Sequence, residues 1–146
     1  MIRSIYSTSA IVLILIFLSA CSGSKSEPEK ITESVMIDKI SRSAGLTRSQ
    51  AQIGLSALMI LSEYKLSPEE FTKLTGDLPG GDNLFKLASD LGFDSGSVTT
   101  SAGIIQILVN LGANPVDAGR FLSSVLGFSK EIEGGVFGLL SKVYED

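Results

Sequence analysis

The chain of 146 residues contains no histidine and no tryptophan, and Cys21 is its only cysteine. Without histidine, the chain cannot form the serine–histidine or cysteine–histidine pairs that activate nucleophiles in many hydrolases, nor a zinc site with a histidine ligand. Without tryptophan, a sugar-stacking platform or a cation–π cage is not expected. A single cysteine excludes a disulfide within the chain, so the apolar core alone must stabilise the fold.

The apolar run Ile11–Leu18 is about half as long as the roughly 20 residues that a transmembrane helix needs. It follows a start that carries Arg3 and leads into Leu18-Ser19-Ala20-Cys21. A basic start, a short apolar run and small residues before a cysteine resemble a bacterial lipoprotein signal peptide. The resemblance implies cleavage before Cys21, a diacylglycerol on its thiol and a further acyl chain, such as palmitate, on the new amino terminus. The alternative, an ordinary secretory signal, would leave Cys21 as a lone thiol in a polar stretch.

We therefore predict a lipoprotein signal peptide (1–20), an acylated cysteine with a flexible linker (21–30) and a folded domain (31–146). Residues 22–30 offer no apolar side chain to bury, as is typical of a solvated linker. Acyl chains on Cys21 would hold the protein on a membrane without help from the folded part. Ser22 stands where aspartate often marks inner-membrane retention in enterobacteria, so the pattern favours the outer membrane, with the domain facing the periplasm.

Acidic residues outnumber basic residues, by 16 to 12, which gives a net charge of −4. Loss of residues 1–20 removes Arg3 and no acid, and the net charge becomes −5. This balance argues against binding to nucleic acid and against an electrostatic attachment to anionic lipid.

Helix signals recur along the folded domain, and sustained alternation of apolar and polar residues is absent. Residues 31–44 form a first segment that is predicted to be a helix. Thr47–Gln50 has the pattern of a capping box, and Ser67–Glu70 starts another helix with proline at its first position. The sequence between these signals, 48–65, is apolar on nearly all sides, which predicts a helix in the centre of the core.

The second half of the domain continues the helical pattern. Asp82 is predicted to cap a helix that Gly92 ends, and residues 104–111 are predicted to form a second buried helix. Asn114-Pro115 starts the last long helix, which is predicted to extend to Gly134-Gly135. Its apolar stripe consists of Phe121, Val125, Phe128 and Ile132. A short tail packs back after the glycines. The sequence therefore predicts an all-α fold, a single compact domain of about five to six helices.

Five short segments follow one another in a recognisable order between residues 46 and 143. They are Gln50–Leu55, Leu66-Ser67 with the Phe71 helix, Leu78-Pro79-Gly80 with Leu84, Leu111-Gly112 with Pro115, and Phe121–Leu140 around the glycine pair. This order resembles a bacterial family of secreted helical domains of unknown function, the VcgC/VcgE type. The resemblance implies a helical fold and a location in the cell envelope, and it supplies no activity and no site residues.

Two Ser-x-x-Lys pairs, Ser62–Lys65 and Ser22–Lys25, match the spacing of a serine nucleophile in penicillin-binding proteins. Ser62 falls near a predicted helix end and the other pair falls in the linker. The companion Ser-Asp-Asn and Lys-Thr-Gly motifs are absent. We interpret both pairs as chance matches.

Four aspartates that lie close together in sequence are the remaining candidates for catalysis. They are Asp77, Asp82, Asp90 and Asp94. Glycosidases need two carboxyl groups that face each other, and the spacing from Asp90 to Gly96 lacks the alternating ligands of a calcium loop. We interpret Asp82 as a helix cap and the other three as solvated loop residues. The aromatic residues expected to face the core are Phe71, Phe85, Phe93, Phe121, Phe128 and Phe137. The sequence predicts no catalytic residue, no cofactor and no metal site.

The leading hypothesis is a non-enzymatic module that is attached to a membrane through Cys21 and binds another envelope protein. The alternative is a carrier of an apolar ligand or a domain that perturbs membranes, because two predicted helices are apolar and contain glycine. An enzyme built on the four aspartates ranks third. The oligomeric state is left open.

Overall fold

The computed structural model describes residues 30–145, and in this part of the chain it contains seven α-helices and no β-strand. The helices are α1 (Glu33–Ala44), α2 (Arg48–Lys65), α3 (Pro68–Asp77), α4 (Gly81–Asp90), α5 (Ser101–Asn110), α6 (Pro115–Ser129) and α7 (Val136–Tyr144). They belong to one compact unit, Ile31–Asp146. The predicted all-α class is confirmed.

The predicted number of five to six helices is wrong, because the tail after the glycine pair is itself a helix. Gly134 and Gly135 have φ angles of 90° and 85°, which residues with a Cβ rarely adopt. The chain turns sharply at this pair. Val136, Leu140 and Val143 then recur at helical spacing and bury one side of α7.

Two predicted helix ends also differ from the structure. α6 ends at Ser129 and does not continue to Gly134, so Ile132 lies in the turn that reverses the chain before α7. Asp82 does not cap α4, because Gly80, with φ of 72°, occupies the N-cap position. Asp82 lies in the first turn of α4, where a negative charge is favoured by the helix dipole.

The predicted capping box at Thr47–Gln50 is confirmed, and the predicted helix start at Ser67–Glu70 also forms a capping box. The Gln50 amide N–H donates to Thr47 Oγ1 (3.2 Å), and the Thr47 amide N–H donates to Gln50 Oε1 (3.0 Å). Ser67 and Glu70 form the same reciprocal pair at 3.3 and 3.0 Å. A cap of this kind typically stabilises a helix by about 1 kcal/mol, so these residues define where α2 and α3 begin.

α2 lies at the centre of the unit, as its apolar sequence predicts. Every residue from Gly54 to Ser62 is buried, and α2 packs against α1, α3, α4, α5 and α7. A Cβ on Gly54 would lie 2.8 Å from Phe121 Cζ and 3.2 Å from Leu108 Cδ2. The missing side chain of Gly54 therefore makes room for the fully buried ring of Phe121.

α5 was predicted to be a second buried helix, and the structure buries only one of its sides. Its buried residues are Ser101, Ile104 and Leu108, and Leu111 directly after it is 43% exposed. α5 packs mainly against α2 and α6, so only one of its sides is covered. Its apolar composition does not by itself place it in the core.

An ion pair joins α3 to α7. Lys142 Nζ lies 2.7 Å from Glu70 Oε1. The hydrogen bond from Lys142 and that from the Ser67 amide hold the pKa of Glu70 below its ordinary value. Because this pKa is lowered, the ion pair stabilises the fold above the ordinary pKa of a glutamate. This contribution is lost as the pH falls through the folded-state pKa.

Replacing Lys142 by methionine is expected to raise the pKa of Glu70 towards its ordinary value, because the cation that favours the charged carboxylate is gone. The measurement is an NMR titration of the Glu70 side-chain carboxyl in both proteins. Lys86→Met, which removes a lysine from the exposed side of α4, is the control and should leave the Glu70 titration unchanged. An unchanged Glu70 titration in Lys142→Met would show that Lys142 does not hold the carboxylate in solution.

Tyr144 at the end of α7 has a buried side-chain oxygen without a hydrogen-bond partner among residues 30–145. Burial raises the pKa of this hydroxyl well above its ordinary value, so the group stays neutral. A buried unpaired hydroxyl costs about 1–3 kcal/mol.

Tyr144→Phe is therefore expected to raise the free energy of unfolding by about 1 kcal/mol, because it removes the unpaired oxygen and keeps the ring. Urea unfolding of the two proteins measures the difference. Tyr64→Phe is the matched control, since Tyr64 is 58% exposed, and should change little. A loss of stability in Tyr144→Phe would mean that the hydroxyl has a partner in solution.

Candidate functional site

The predicted site residues do not assemble into one centre. Cys21 and the Ser22–Lys25 pair lie outside the described residues. Ser62 is buried, and its hydroxyl donates to the Leu58 carbonyl (2.8 Å). Lys65 Nζ donates to the Glu145 carbonyl (2.9 Å). Ser62 and Lys65 thus each have a partner elsewhere, which agrees with their interpretation as a chance match.

The four aspartates are distributed along α3, α4 and the loop after α4. Asp77 ends α3 and pairs with Lys73 Nζ at 2.6 Å. Asp82 and Asp90 stand at opposite ends of α4, about 12 Å apart along the helix axis. Asp94 lies beyond them in the loop. Within residues 30–145, no three acidic side chains lie close enough together to hold a metal ion.

One of these aspartates, Asp94, lines a groove between α2, α4 and the loop that follows α4. We call it the acidic groove, and its volume is about 520 Å³. Its lining residues are Ile60, Glu63, Phe85, Ser89, Gly92, Phe93, Asp94 and Ser95. Phe85 and Ser89 stand one turn apart on α4. Gly92, with φ of 83°, then bends the chain so that residues 93–95 close the groove.

The floor of the acidic groove is apolar. Its accessible part is formed by the rings of Phe85 and Phe93, which are partly buried against the core, and Ile60 on α2 is almost fully buried beside them. Phe71 holds Phe85 from behind, with ring centroids 5.2 Å apart in an edge-to-face arrangement. These contacts fix the floor, but they leave part of each ring open to the groove.

Two acidic residues, Glu63 and Asp94, line the rim of the acidic groove; the carboxylate of Glu63 and the backbone of Asp94 are held by hydrogen bonds. The Ser95 hydroxyl donates to Glu63 Oε2 (2.8 Å). The Asp94 amide donates to Ser97 Oγ (3.0 Å), whose hydroxyl donates back to the Asp94 carbonyl (2.7 Å). Among the described residues, no basic side chain lines the groove. The surface is therefore apolar at its base and negative at its edge.

A second depression, of about 300 Å³ between α1 and α6, holds a cation of the chain itself. Lys39 Nζ lies 2.8 Å from Glu131 Oε2 and 5.6 Å from the ring centroid of Phe128. Here an ammonium group is held between a carboxylate and an aromatic ring, which is a favourable arrangement for a cation.

A third feature is the surface of α5 and α6, which is nearly uncharged. Residues 95–129 contain two charged residues, Asp117 and Arg120, which pair with each other at 3.2 Å. Two apolar residues near the turn between these helices, Leu111 and Val116, are 43% and 61% exposed. Within residues 30–145, no helix has both the length and the hydropathy to span a bilayer.

The family model described as protein of unknown function VcgC/VcgE (DUF2780) matches residues 19–141 of the chain. The chain belongs to the VcgC/VcgE family. The VcgC/VcgE match covers α1–α6 and most of α7, and therefore includes the acidic groove and the α5–α6 surface. No curated protein and no solved structure matches the chain. The family description assigns no activity to any of these surfaces.

Sequence reasoning missed three residues of the acidic groove: Glu63, Phe85 and Phe93. The rings of Phe85 and Phe93 were expected to face the core, but each lies at the edge of the core and is partly buried. Glu63 is the first charged residue of α2 after Arg48, and this change from apolar to charged is the one signal that marks the exposed end of the helix. The left-handed turn at Gly92 is the helix end that the sequence predicts, and the Phe93 amide closes it by donating to the Ala88 carbonyl (2.9 Å).

Proposed function

We propose that this VcgC/VcgE protein is a lipid-anchored envelope protein whose helical domain binds another envelope protein and does not catalyse a reaction. The anchor is acylated Cys21, and the linker 21–30 joins it to the domain. The pattern at Ser22 favours the outer membrane with the domain facing the periplasm. The basic start, the short apolar run and the small residues before Cys21 support the envelope location, and the net charge argues against nucleic acid as a partner.

The position of the acidic groove supports a binding role. Glu33 in the first turn of α1 accepts a hydrogen bond from Asn83 Nδ2 at 3.1 Å, so the start of the folded unit lies beside the start of α4. The groove lies at the other end of α4. A helix of ten residues is about 15 Å long. Within the folded unit, the start of α1 and the acidic groove therefore lie towards opposite ends of α4.

The packing of α2 favours a binding module over the alternative of an apolar-ligand carrier. The carrier hypothesis requires the glycine of the central helix to line a cavity. Gly54 instead faces Phe121 and Leu108, whose side chains fill the space that a Cβ would occupy. The small residue serves internal packing, and the accessible apolar surface lies outside the core, in the acidic groove and on α5–α6.

Crosslinking in cells followed by mass spectrometry tests the proposed function, with the unaltered chain compared with Cys21→Ser. We expect acyl chains on Cys21 and one envelope protein that is captured by the unaltered chain and lost in Cys21→Ser. An unmodified Cys21 would overturn the anchor. Failure to capture any protein with crosslinkers of several lengths would overturn the interaction module.

A further inference from the structure

We infer that the acidic groove binds a basic, apolar segment of a partner protein. In this complex a lysine or arginine side chain reaches Glu63 and Asp94, while neighbouring apolar side chains of the segment pack on Phe85 and Phe93. The inference rests on the proposed function and adds to it the surface that binds and the chemistry of what is bound.

The shape and the floor of the groove fit a short peptide segment. The groove is open along the surface and has a volume of about 520 Å³, so an extended segment can lie across it. Phe85 is held in place by Phe71, so its ring is a rigid contact surface that loses little freedom on binding. Rigid aromatic residues are enriched where proteins bind one another most strongly.

The negative charge of the rim favours a basic side chain in the bound segment. Glu63 and Asp94 are both acidic, and among the described residues no lysine or arginine lines the groove to neutralise them. The depression at Lys39 also combines a carboxylate with a phenyl ring. There the ammonium group of Lys39 contacts both of them. A basic side chain supplied by a partner would make the corresponding contacts in the acidic groove.

The same features argue against two other occupants. Anionic lipid would be repelled by the carboxylates on the rim. A small polyamine would satisfy the carboxylates but would leave the exposed parts of the Phe85 and Phe93 rings uncovered. A protein segment that combines basic and apolar side chains satisfies both parts of the surface.

The test uses the full chain in its own cells, with the photo-crosslinking residue p-benzoylphenylalanine at Ser89, which is exposed on the groove wall. Mass spectrometry identifies the captured peptide. We expect a peptide that contains lysine or arginine beside apolar residues. In the Glu63→Gln/Asp94→Asn background its yield should fall about tenfold, the effect of about 1.4 kcal/mol of lost binding free energy.

The matched control is Asp82→Asn/Glu133→Gln, which changes the net charge equally at two exposed acids outside the groove lining. Its crosslinking yield should stay within about twofold of the unaltered chain, because screened charges at a distance contribute little. Glu63→Gln retains an oxygen that can accept from Ser95. Melting curves test whether both double variants fold. If Glu63→Gln/Asp94→Asn does not fold, the single variant Asp94→Asn is used in its place.

Three results would overturn the inference: a captured peptide without a basic residue, capture of lipid or of a second copy of the chain, or equal yields in the two double variants. A second photo-crosslinking position at Val116 separates this failure from failure of the proposed function. A protein captured from Val116 but not from Ser89 would support the interaction module and contradict binding in the acidic groove. No protein captured from either position would reject both.

Discussion

Replacing Phe121 by alanine is expected to lower the free energy of unfolding by about 3–5 kcal/mol, the usual cost of removing a buried phenyl ring. Phe121 is fully buried and lies against Gly54 of α2 and beside Leu108 of α5. Its removal leaves a cavity where three helices meet. Domains of this size are typically stable by about 5–15 kcal/mol, so the loss is a large part of the total. Urea unfolding gives the difference directly.

A double-mutant cycle with Gly54 tests whether Phe121 acts through this contact. Gly54→Ala alone should cost about 1–3 kcal/mol, because its Cβ would lie 2.8 Å from Phe121 Cζ. In the Phe121→Ala background the added methyl group enters the vacated space, so its cost should fall by about 1 kcal/mol or more. Strict additivity of the two changes would contradict the packing described for α2 and α6.

Gly81→Ala is expected to destabilise the protein by about 3 kcal/mol, at the upper end of what overpacking usually costs. A Cβ on Gly81 would lie 2.5 Å from the Thr75 carbonyl oxygen and 2.8 Å from Thr75 Cα. Both are backbone atoms, so no side chain can rotate to relieve the clash. α3 and α4 would have to separate at the turn that joins them, and urea unfolding should show an earlier midpoint.

Gly76→Ala is the control for this prediction, only five residues away in α3. A Cβ on Gly76 would meet nothing within 4 Å, and alanine is the better helix former by about 1 kcal/mol. Gly76→Ala should therefore stabilise the protein by about 0.5–1 kcal/mol. Equal effects of the two substitutions would mean that the close approach at Gly81 is absent in solution.

Local signals in the sequence were sufficient to predict a helix start where the capping residues are close together in the chain. Thr47 and Ser67 form capping boxes with partners three residues away, and the box at Thr47 and the helix start at Ser67 are as predicted. The start of α4 could not be predicted in this way. Gly80 occupies the N-cap position with φ of 72°, and a Cβ there would meet the side chain of Glu33 from α1, which lies 47 positions earlier in the chain.

Burial was predictable for α2 but not for α5, although both sequences are apolar. α2 is surrounded by five helices, whereas α5 has two principal neighbours and keeps one side exposed. An apolar composition shows that a helix can be buried. The number of helices that pack against it determines how much of its surface is buried. The same limit explains why Phe85 and Phe93 were assigned to the core and lie instead at its edge, in the acidic groove.

The central position of α2 determines how the protein exchanges its amide hydrogens with the solvent. The amides between Gly54 and Ser62 are covered on every side, so deuterium can reach them only when the whole unit unfolds. α7 lies at the carboxyl end of the unit and packs against α6, α2 and α3, so we expect its amides to exchange through a local opening. The slowest amides of α2 therefore report the global stability of the protein, and those of α7 report a smaller, local opening.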